Sequence, residues 1–288
     1  MLSDRISVVI VTYNRVDTLL NTLHKLESLP EQPPLIVVDN GSTDGTFERV
    51  KHDFPAVTIK RLPAGLGCVS RNEGIKLAET PLVAMCDDDS YWAPGALTRA
   101  VQCFDEYSHL GVLASKVLLG EEQRLEPVCE AMRDSPLTDP RPLPGPAILG
   151  FVCCAAIFRQ EAFWSIGGFH KDFAIAGEER LFSADMRSKG WSLAYVEDVL
   201  SYHFPSPARS TARRTHLLTR DTLWYYWLRR PLYYALRHTL HIHKKSRVDE
   251  NVRSGYREAI RQLHRFLFER RPVPPTVEEQ LLRIESFY

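Results

Sequence analysis

Three consecutive aspartates, Asp87, Asp88 and Asp89, end an apolar segment that begins at Leu82. Carboxylates this close together repel one another unless a cation lies between them. Mg²⁺ and Mn²⁺ are hard ions that bind carboxylate oxygens and often hold substrate phosphates as well. An acidic loop that favours the start of the next helix is the alternative, although one aspartate would suffice for that role. The cluster therefore predicts a Mg²⁺ or Mn²⁺ site beside a phosphorylated substrate.

Polar residues also end two earlier apolar segments. Ser7–Tyr13 contains Thr12 near its end, and Leu35–Asp39 ends in an aspartate. In a parallel α/β sheet, ligands bind at the carboxyl ends of the strands, so we expect these residues at the same edge as the three aspartates. Asp39 would meet a ribose hydroxyl or a base there, or else form an Asx turn with Gly41.

The elements that must position these groups alternate between strand and helix patterns over the first hundred residues. Strands are predicted at Ser7–Tyr13, Leu35–Asp39, Thr58–Leu62 and Leu82–Asp87, with helical spacing of apolar residues between them. Such alternation is typical of a parallel sheet with right-handed crossovers. We therefore predict an α/β fold with a Rossmann-like, mostly parallel central sheet flanked by helices.

The pattern is looser beyond residue 100. Strands are predicted at Gly111–Leu119, Ala147–Phe158 and Trp191–Glu197. The segment Asp134–Pro146 has five prolines and predicts a loop, and a helix is predicted from Glu178 to Lys189. Beyond Pro205, arginine, histidine and aromatic residues recur at helical spacing, which predicts a helical C-terminal extension.

Composition and charge limit the classes of function. The chain has 288 residues, of which 44% are hydrophobic, enough for a sizeable core and too many for intrinsic disorder. Lys and Arg total 36 and so do Asp and Glu, so the basic balance of a nucleic-acid-binding protein is missing. Residues 1–204 hold 19 basic and 28 acidic residues, which leaves 17 basic and 8 acidic for residues 205–288. An acidic body suits a cation-dependent site, and a basic tail suits anionic surfaces or partners.

Signals for cellular location are few. Met1–Arg5 lacks the basic start of a signal peptide, and the apolar run Ile6–Val11 is short. We therefore expect a cytoplasmic protein. Six cysteines without C-x-x-C spacing are expected to be reduced residues of its core: Cys68, Cys86, Cys103, Cys129, Cys153 and Cys154.

The basic tail allows two interpretations. Leu223–Tyr226, Tyr233 and Tyr234 interleave with Arg229 and Arg230. Aromatic and arginine residues suit a membrane boundary, which would make the protein peripheral to the inner face of the membrane. Packing of this segment against the body, with its aromatic residues buried, is the alternative and the one we favour.

Five segments between residues 8 and 181 carry motifs in a set order: VVIVTYNR (Val8–Arg15), VVDNGSTDGT (Val37–Thr46), GLGCVSRNEGI (Gly65–Ile75), CDDDSYWAPGAL (Cys86–Leu97) and IGGFHKDFAIAGEERL (Ile166–Leu181). Together they resemble the family 2 glycosyltransferases with a GT-A fold. The resemblance implies a nucleotide-diphosphate sugar as donor and a Mg²⁺ or Mn²⁺ ion. It also implies a nucleotide-sugar-binding half at 1–95 and an acceptor-binding half at 96–204, before the extension at 205–288.

On the donor side, the resemblance implies that Thr12, Tyr13 and Asp39 line the base and ribose pocket. It places Arg71 beside the nucleotide.

The same resemblance implies a set of metal ligands. Asp87 and Asp89 match the outer residues of the Asp-x-Asp motif, with Asp89 as the direct ligand and with Asp87 and Asp88 against the substrate. His203 matches a position where some GT-A enzymes place a ligand for the metal or diphosphate, but a packed or surface histidine accounts for it equally well.

On the acceptor side, the resemblance implies that Gly168 belongs to a loop that shapes the sugar and acceptor subsites. Glu178 and Glu179 match a Glu-Asp pair whose aspartate is the general base. The second carboxylate is kept here on an arm one methylene longer, so which glutamate is the base stays open; we assign Glu179, with Glu178 beside it. The structural alternative is an acidic pair that favours the first turn of a helix.

The resemblance, together with the residues that carry it, implies a metal-dependent, inverting glycosyltransferase that acts on a carbohydrate or lipid-linked acceptor in polysaccharide or glycolipid biosynthesis. A nucleotidyltransferase would also use a nucleotide, a metal and carboxylates, but an acidic pair about 90 residues after the aspartates argues against it. A non-catalytic nucleotide-sugar or carbohydrate-binding module would have no use for both a metal cluster and a separate acidic pair.

Overall fold

The computed structural model describes residues 1–63, 65–173, 177–205 and 211–287. Its first half contains four parallel strands in the order β3–β2–β1–β4: β1 (Ile6–Thr12), β2 (Leu35–Asp39), β3 (Thr58–Arg61) and β4 (Leu82–Asp87). Valine and isoleucine fill the central strands because both faces of this sheet are covered. The predicted parallel sheet is confirmed, and its strand bounds agree to within one residue.

Three helices connect these strands: α1 (Val16–Glu27), α2 (Thr46–Asp53) and α3 (Val69–Leu77). The helix α3 lies close against the sheet, since a Cβ added to Gly74 would be 2.4 Å from a methyl carbon of Val9 on β1. Gly74 therefore permits an approach that a larger residue would prevent. This approach fixes the position of α3, which carries Arg71, relative to the strands.

The second half of the sheet is mixed. Its strands are β5 (Ser90–Trp92), β6 (Leu110–Leu119), β7 (Arg124–Leu125), β8 (Ala156–Arg159) and β9 (Ser192–His203). The order continues β4–β8–β6–β9–β5, with β7 paired to β6. The strand β8 is antiparallel to both neighbours, β9 is parallel to β6, and β5 is antiparallel to β9. The helices of this half are α4 (Ala96–Glu106), α5 (Pro127–Arg133), α6 (Gln160–Ser165) and α7 (Glu178–Ser188).

The predicted strand Ala147–Phe158 is mostly wrong. Only Ala156–Arg159 pairs as a strand, and Cys153–Ala155 is a short 3-10 turn. Three residues of the remaining segment are buried all the same: Ile148, Leu149 and Phe151. An apolar loop fills the core here, so hydrophobicity indicated burial correctly but strand pairing wrongly.

The described residues of the C-terminal extension form four helices: α8 (Thr211–Arg229), α9 (Leu232–Lys245), α10 (Glu250–Leu267) and α11 (Pro275–Phe287). The helix α8 packs on the body, where Nη2 of Arg229 lies 2.9 Å from Oδ2 of Asp185 on α7. Trp224 is buried between Phe173 and Phe266, with ring centroids 6.1 Å and 4.6 Å away. The packing interpretation of the tail is thus confirmed for α8. None of the described helices is long and apolar enough to span a membrane.

Arg230 accounts for part of the alternation of arginine and aromatic residues. Its guanidinium is fully buried and lies 5.0 Å from the ring centroid of Tyr226 and 5.2 Å from that of Tyr234. It also donates hydrogen bonds of 2.8 to 3.1 Å to Glu278 on α11. Because cation–π contacts and charged hydrogen bonds compensate the burial of this cation, the pattern serves packing here.

Candidate functional site

Three neighbouring parallel strands bring polar residues to one edge of the sheet. Thr12 at the end of β1 is in register with Asp39 of β2, and Val11 is in register with Asp87 of β4. The predicted gathering of these groups at the carboxyl edge is confirmed. Tyr13 follows β1 directly and is 51% exposed, so its ring is accessible at this edge.

Asp39 is buried and makes one turn contact. Its Oδ1 accepts a hydrogen bond of 2.8 Å from the backbone N–H of Ser42, so the turn closes on Ser42 and not on Gly41. Its Oδ2 has no hydrogen-bond partner among the described residues, and Nε of Arg61 lies 3.7 Å from it. The turn therefore occupies one carboxylate oxygen and leaves the other able to accept a hydrogen bond.

Asp88 lies inside the protein, facing other protein groups. Its carboxylate accepts a hydrogen bond of 2.9 Å from Oγ1 of Thr12 and another from Arg15. Its backbone carbonyl accepts a 2.7 Å hydrogen bond from Oγ1 of Thr22 on α1. Burial raises the pKa of Asp88 to about 7, although the nearby Arg15 opposes this shift. These contacts anchor the turn that follows β4. We call Asp87, Asp88 and Asp89 the aspartate cluster.

Asp89 is buried between a guanidinium and an imidazole. Its Oδ2 accepts a 2.9 Å hydrogen bond from Arg15, and its Oδ1 lies 3.4 Å from Nε2 of His203. Burial alone would raise the pKa of Asp89, but the contacts with His203 and Arg15 outweigh it and hold the pKa below its usual range. Asp89 is therefore a carboxylate at neutral pH.

Arg15 alters the argument made from charge repulsion. It bridges Asp88 and Asp89, while Arg71 lies against Asp87, so protein cations already compensate much of the cluster's negative charge. The repulsion of three aspartates therefore does not by itself require a bound cation. Arg15 belongs to the first motif, but nothing in the sequence indicates that its side chain would contact Asp88 and Asp89, more than 70 positions later.

Three potential metal ligands nevertheless converge beside the cluster. One donor atom each from Asp87, Cys154 and His203 lie within 4.8 Å of one another. His203 is buried, and neither ring nitrogen makes a hydrogen bond within the described part of the chain. Its strand positions it, because His203 of β9 pairs with Ser90 of β5, directly after the cluster. A carboxylate and an imidazole at this spacing fit a divalent cation, and the imidazole favours Mn²⁺ over Mg²⁺.

Sequence reasoning missed the position of Cys154. All six cysteines are free and buried, as predicted for core residues. Cys154 lies in an apolar segment without metal-ligand spacing, so only the fold shows that its thiol is close to Asp87 and His203.

Arg71 connects the two ends of the site. Its Nη2 lies 3.3 Å from Oδ1 of Asp87, and its Nη1 lies 3.2 Å from Oε1 of Glu178. Because its side chain is only 15% exposed, these contacts are shielded from bulk water. One guanidinium thus links the potential metal ligands to the acidic pair at the start of α7.

The two glutamates of α7 differ in their surroundings. Glu178 is buried, and its carboxylate accepts hydrogen bonds from Arg71 and from the backbone N–H of Gly177 at 3.0 Å. Glu179 is partly buried, and burial together with the neighbouring charge of Glu178 raises its pKa above the usual range. Residues 174–176, just before this pair and inside the fifth motif, lie outside the described residues.

Gly168 holds the loop before α7 against α3. Its φ is +75°, and an added Cβ would lie 2.8 Å from the ring of Phe163 and 2.9 Å from Oδ1 of Asn72. Asn72 in turn bonds the backbone of Phe169, accepting from its N–H at 2.9 Å and donating to its carbonyl at 2.8 Å. Since Asn72 follows Arg71 directly, this loop is fixed beside the linking guanidinium.

Comparisons with known proteins match this chain to one family. The family model of glycosyl transferase family 2 matches residues 7–167. The N-acetylglucosaminyl-diphospho-decaprenol L-rhamnosyltransferase of Mycobacterium tuberculosis is 22% identical over 307 residues, which cover 90% of this chain and 98% of that protein.

Two solved structures share the fold. S. aureus TarS 1-349 in complex with UDP-GlcNAc superposes with a TM-score of 0.55 at 22% identity, covering 77% of this chain and 66% of that one. The mannosyltransferase PcManGT from Pyrobaculum calidifontis, in complex with GDP-Man and Mn²⁺, gives a TM-score of 0.56 at 16% identity, covering 98% of this chain and 74% of that one.

Proposed function

The chain belongs to glycosyltransferase family 2 and has the GT-A fold, and we propose that it moves a sugar from a nucleotide-diphosphate sugar to an acceptor hydroxyl with inversion of configuration. The observation that carries this proposal is the position of Arg71. It contacts Asp87, among the potential metal ligands, and Glu178, in the acidic pair. In such a transfer, the metal ligands would lie at the leaving diphosphate and the acidic pair at the attacking hydroxyl, so the two sets of side chains must lie a short distance apart.

The donor would bind along the carboxyl edge of the parallel strands. Thr12, Tyr13 and Asp39 would line the base and ribose pocket, where Oδ2 of Asp39 can accept a hydrogen bond. TarS with UDP-GlcNAc and PcManGT with GDP-Man support a nucleotide-diphosphate sugar on this fold.

The residues present fit a cation at the diphosphate. Asp87 and His203 would hold Mg²⁺ or Mn²⁺, with the thiol of Cys154 beside them. Asp89 would be a further ligand through its Oδ1, which lies 3.4 Å from Nε2 of His203. When bound, the cation would neutralise charge on the diphosphate of the donor. Arg71 would add a permanent positive charge to the same end of the site. Asp88, predicted as a substrate contact, would act here as the anchor of the loop.

Transfer would be a single displacement with Glu179 as general base. Glu179 would accept the proton of the acceptor hydroxyl while the hydroxyl oxygen forms a bond to the anomeric carbon. The bond from that carbon to the diphosphate oxygen breaks, and its electron pair leaves with the nucleoside diphosphate. A raised pKa suits a base that works near neutral pH. Glu178 would position Arg71, and Gly168 would hold the loop at the acceptor subsite.

The acceptor would be a carbohydrate or a lipid-linked sugar, in glycolipid or polysaccharide biosynthesis on the cytoplasmic side of a membrane. The name of the M. tuberculosis relative, which this chain matches over nearly its whole length, specifies a sugar on a diphosphate-linked polyprenol. That name supports a lipid-linked acceptor as the first class to test.

The test measures hydrolysis and transfer from UDP-, dTDP- and GDP-sugars, with and without Mn²⁺. We expect Mn²⁺-dependent turnover of one donor, and a fall of at least about 100-fold in Glu179→Gln, because general base catalysis contributes that much. Glu161→Gln, in the first turn of α6, is the matched control and should keep full activity. Donor binding without turnover would favour a binding module, and release of pyrophosphate from a nucleoside triphosphate would favour a nucleotidyltransferase.

A further inference from the structure

One face of α9 exposes apolar side chains. Leu232, Tyr233, Leu236 and Leu240 are between 47% and 66% exposed. At about 100° per residue, the three leucines fall within an arc of about 80°, and Tyr233 lies about 20° beyond Leu240. These four residues therefore form one continuous surface, which we call the α9 strip.

The other side of α9 is packed, so the α9 strip is not the result of a detached helix. Ala235 and Ile242 are buried. The ring of His238 stacks on Tyr226 of α8 with centroids 3.9 Å apart and planes within 3°. The strip is held in place and faces away from these contacts.

Positive charge borders the α9 strip. The helix carries no acidic residue. Arg237 and Lys244 are exposed, and by the same helical geometry they lie about 60° and 40° from Leu240. An apolar face with basic residues along its edge is typical of helices that lie in the boundary of a membrane.

A basic cleft continues the α9 strip at the end of the helix. It has a volume of about 350 Å³ and is lined by six residues, none of them acidic: His243, Ser246, Arg247, Arg253, Tyr256 and Arg257. His243 falls within the arc of the three leucines, so the strip leads into the cleft. The buried Nδ1 of His243 has no hydrogen-bond partner within the described ranges. Arg253 donates to the carbonyl oxygens of Ser246 and Arg247, which fixes one wall.

We propose that the α9 strip and the basic cleft together dock on the surface of an anionic phospholipid bilayer. The strip would enter the boundary between headgroups and acyl chains, and the cleft would hold lipid phosphates. Charge complementarity favours this partner, because anionic lipids attract basic segments. A second copy of this chain that docked through the same surface would present the same positive charge and be repelled. The proposal concerns where the protein sits and does not depend on its transfer chemistry.

The test is co-sedimentation of the full chain with phosphatidylcholine vesicles that contain or lack phosphatidylglycerol, at low and high salt. We expect binding only to the anionic vesicles and a loss of binding at high salt. Leu236→Asp with Leu240→Asp should weaken binding at least about tenfold, because the side chains no longer enter the apolar layer. Arg247→Ala with Arg257→Ala should remove the preference for the anionic lipid.

Val128→Asp is the matched control, since Val128 is 43% exposed and lies on α5, which contributes no residue to the strip or the cleft, and this variant should bind as wild type does. Melting temperatures check that each variant folds, and turnover of a water-soluble acceptor should be unchanged in the strip and cleft variants. Equal binding to neutral vesicles, or full binding by the strip variant, would overturn the proposal. The proposal would also be overturned if inorganic phosphate raised the melting temperature of the wild type but not of the cleft variant, and neither protein sedimented with vesicles. That result would indicate a site for free anions.

Discussion

The charge of Glu178 should control the pH at which this enzyme becomes active. Glu178 and Glu179 are adjacent at the start of α7, and the negative charge of the first adds to burial in raising the pKa of the second. A general base must be deprotonated, so activity should rise with pH through that raised pKa. Glu178→Gln removes the negative charge and frees the positive charge of Arg71 from its partner. Both changes favour the ionised form of Glu179, so the acidic limb of the pH–rate profile should move to lower pH.

The size of this shift is bounded by the electrostatic interaction between two neighbouring carboxylates. Two charges about 4 Å apart interact with about 4 kcal/mol at an effective dielectric constant of 20, which corresponds to about 3 pH units. Arg71 already compensates part of the charge of Glu178, so we expect a shift of about 1 to 2 units.

The assay is kcat/KM for the donor between about pH 5 and 9, at a fixed Mn²⁺ concentration, in a range that brackets the raised pKa. Glu130→Gln, in the first turn of α5, removes an exposed carboxylate of the same kind and should leave the profile unchanged. An acidic limb that stays in place or moves to higher pH in Glu178→Gln would refute the coupling of the two glutamates.

Three further predictions concern the metal ligands, the aspartate cluster and the loop before α7. His203→Ala should weaken Mn²⁺ binding at least about tenfold, because the imidazole is one of three converging donors. The electron paramagnetic resonance signal of free Mn²⁺ measures this affinity. An unchanged affinity would show that His203 is not a metal ligand. Arg15→Gln should lower the free energy of unfolding in urea by about 1 to 3 kcal/mol, because the side chain of Arg15 is only 29% exposed and its loss leaves buried carboxylates without their cation. The control Arg124→Gln removes a side chain that is 74% exposed and should stay within about 0.5 kcal/mol of wild type. Equal effects of the two substitutions would contradict the anchoring role of Arg15. Gly168→Ala should destabilise the protein by about 1 to 3 kcal/mol because of its positive φ and the short contact with a phenylalanine ring, and Gly150→Ala, where nothing lies within 4 Å, should have a much smaller effect on the melting temperature.

The sequence predicts the parallel half of the fold well because its signals are local. The buried runs at Leu35–Asp39 and Leu82–Asp87 are short, rich in aliphatic residues and bounded by polar turns, and both strands have these bounds in the structure. The strand predicted at Ala147–Phe158 is mostly wrong because burial and strand pairing produce the same apolar composition. Only the fold decides whether such a segment pairs with a neighbouring strand.

The site is predictable where strand ends place it and unpredictable where distant segments meet. The edge that joins Thr12, Asp39 and Asp87 follows from the parallel strands alone. Arg15 and Cys154 reach the aspartate cluster through loops, whose paths the sequence does not specify. Repulsion among the aspartates predicts positive charge beside them, and in the structure arginine side chains provide part of that charge.

The central claim, that a cation binds a donor diphosphate between β4 and α7, is tested most directly by a crystal grown with Mn²⁺ and the nucleoside diphosphate that gives the largest rise in melting temperature. Anomalous scattering at the manganese edge locates the ion without reference to the protein phases. We predict a single strong peak at about 2.0 to 2.3 Å from oxygen or nitrogen ligands drawn from Asp87, Asp89 and His203, with the diphosphate on its open side and Arg71 beside it. A peak elsewhere, or a nucleotide bound away from this edge with these side chains in their present contacts, would contradict the account.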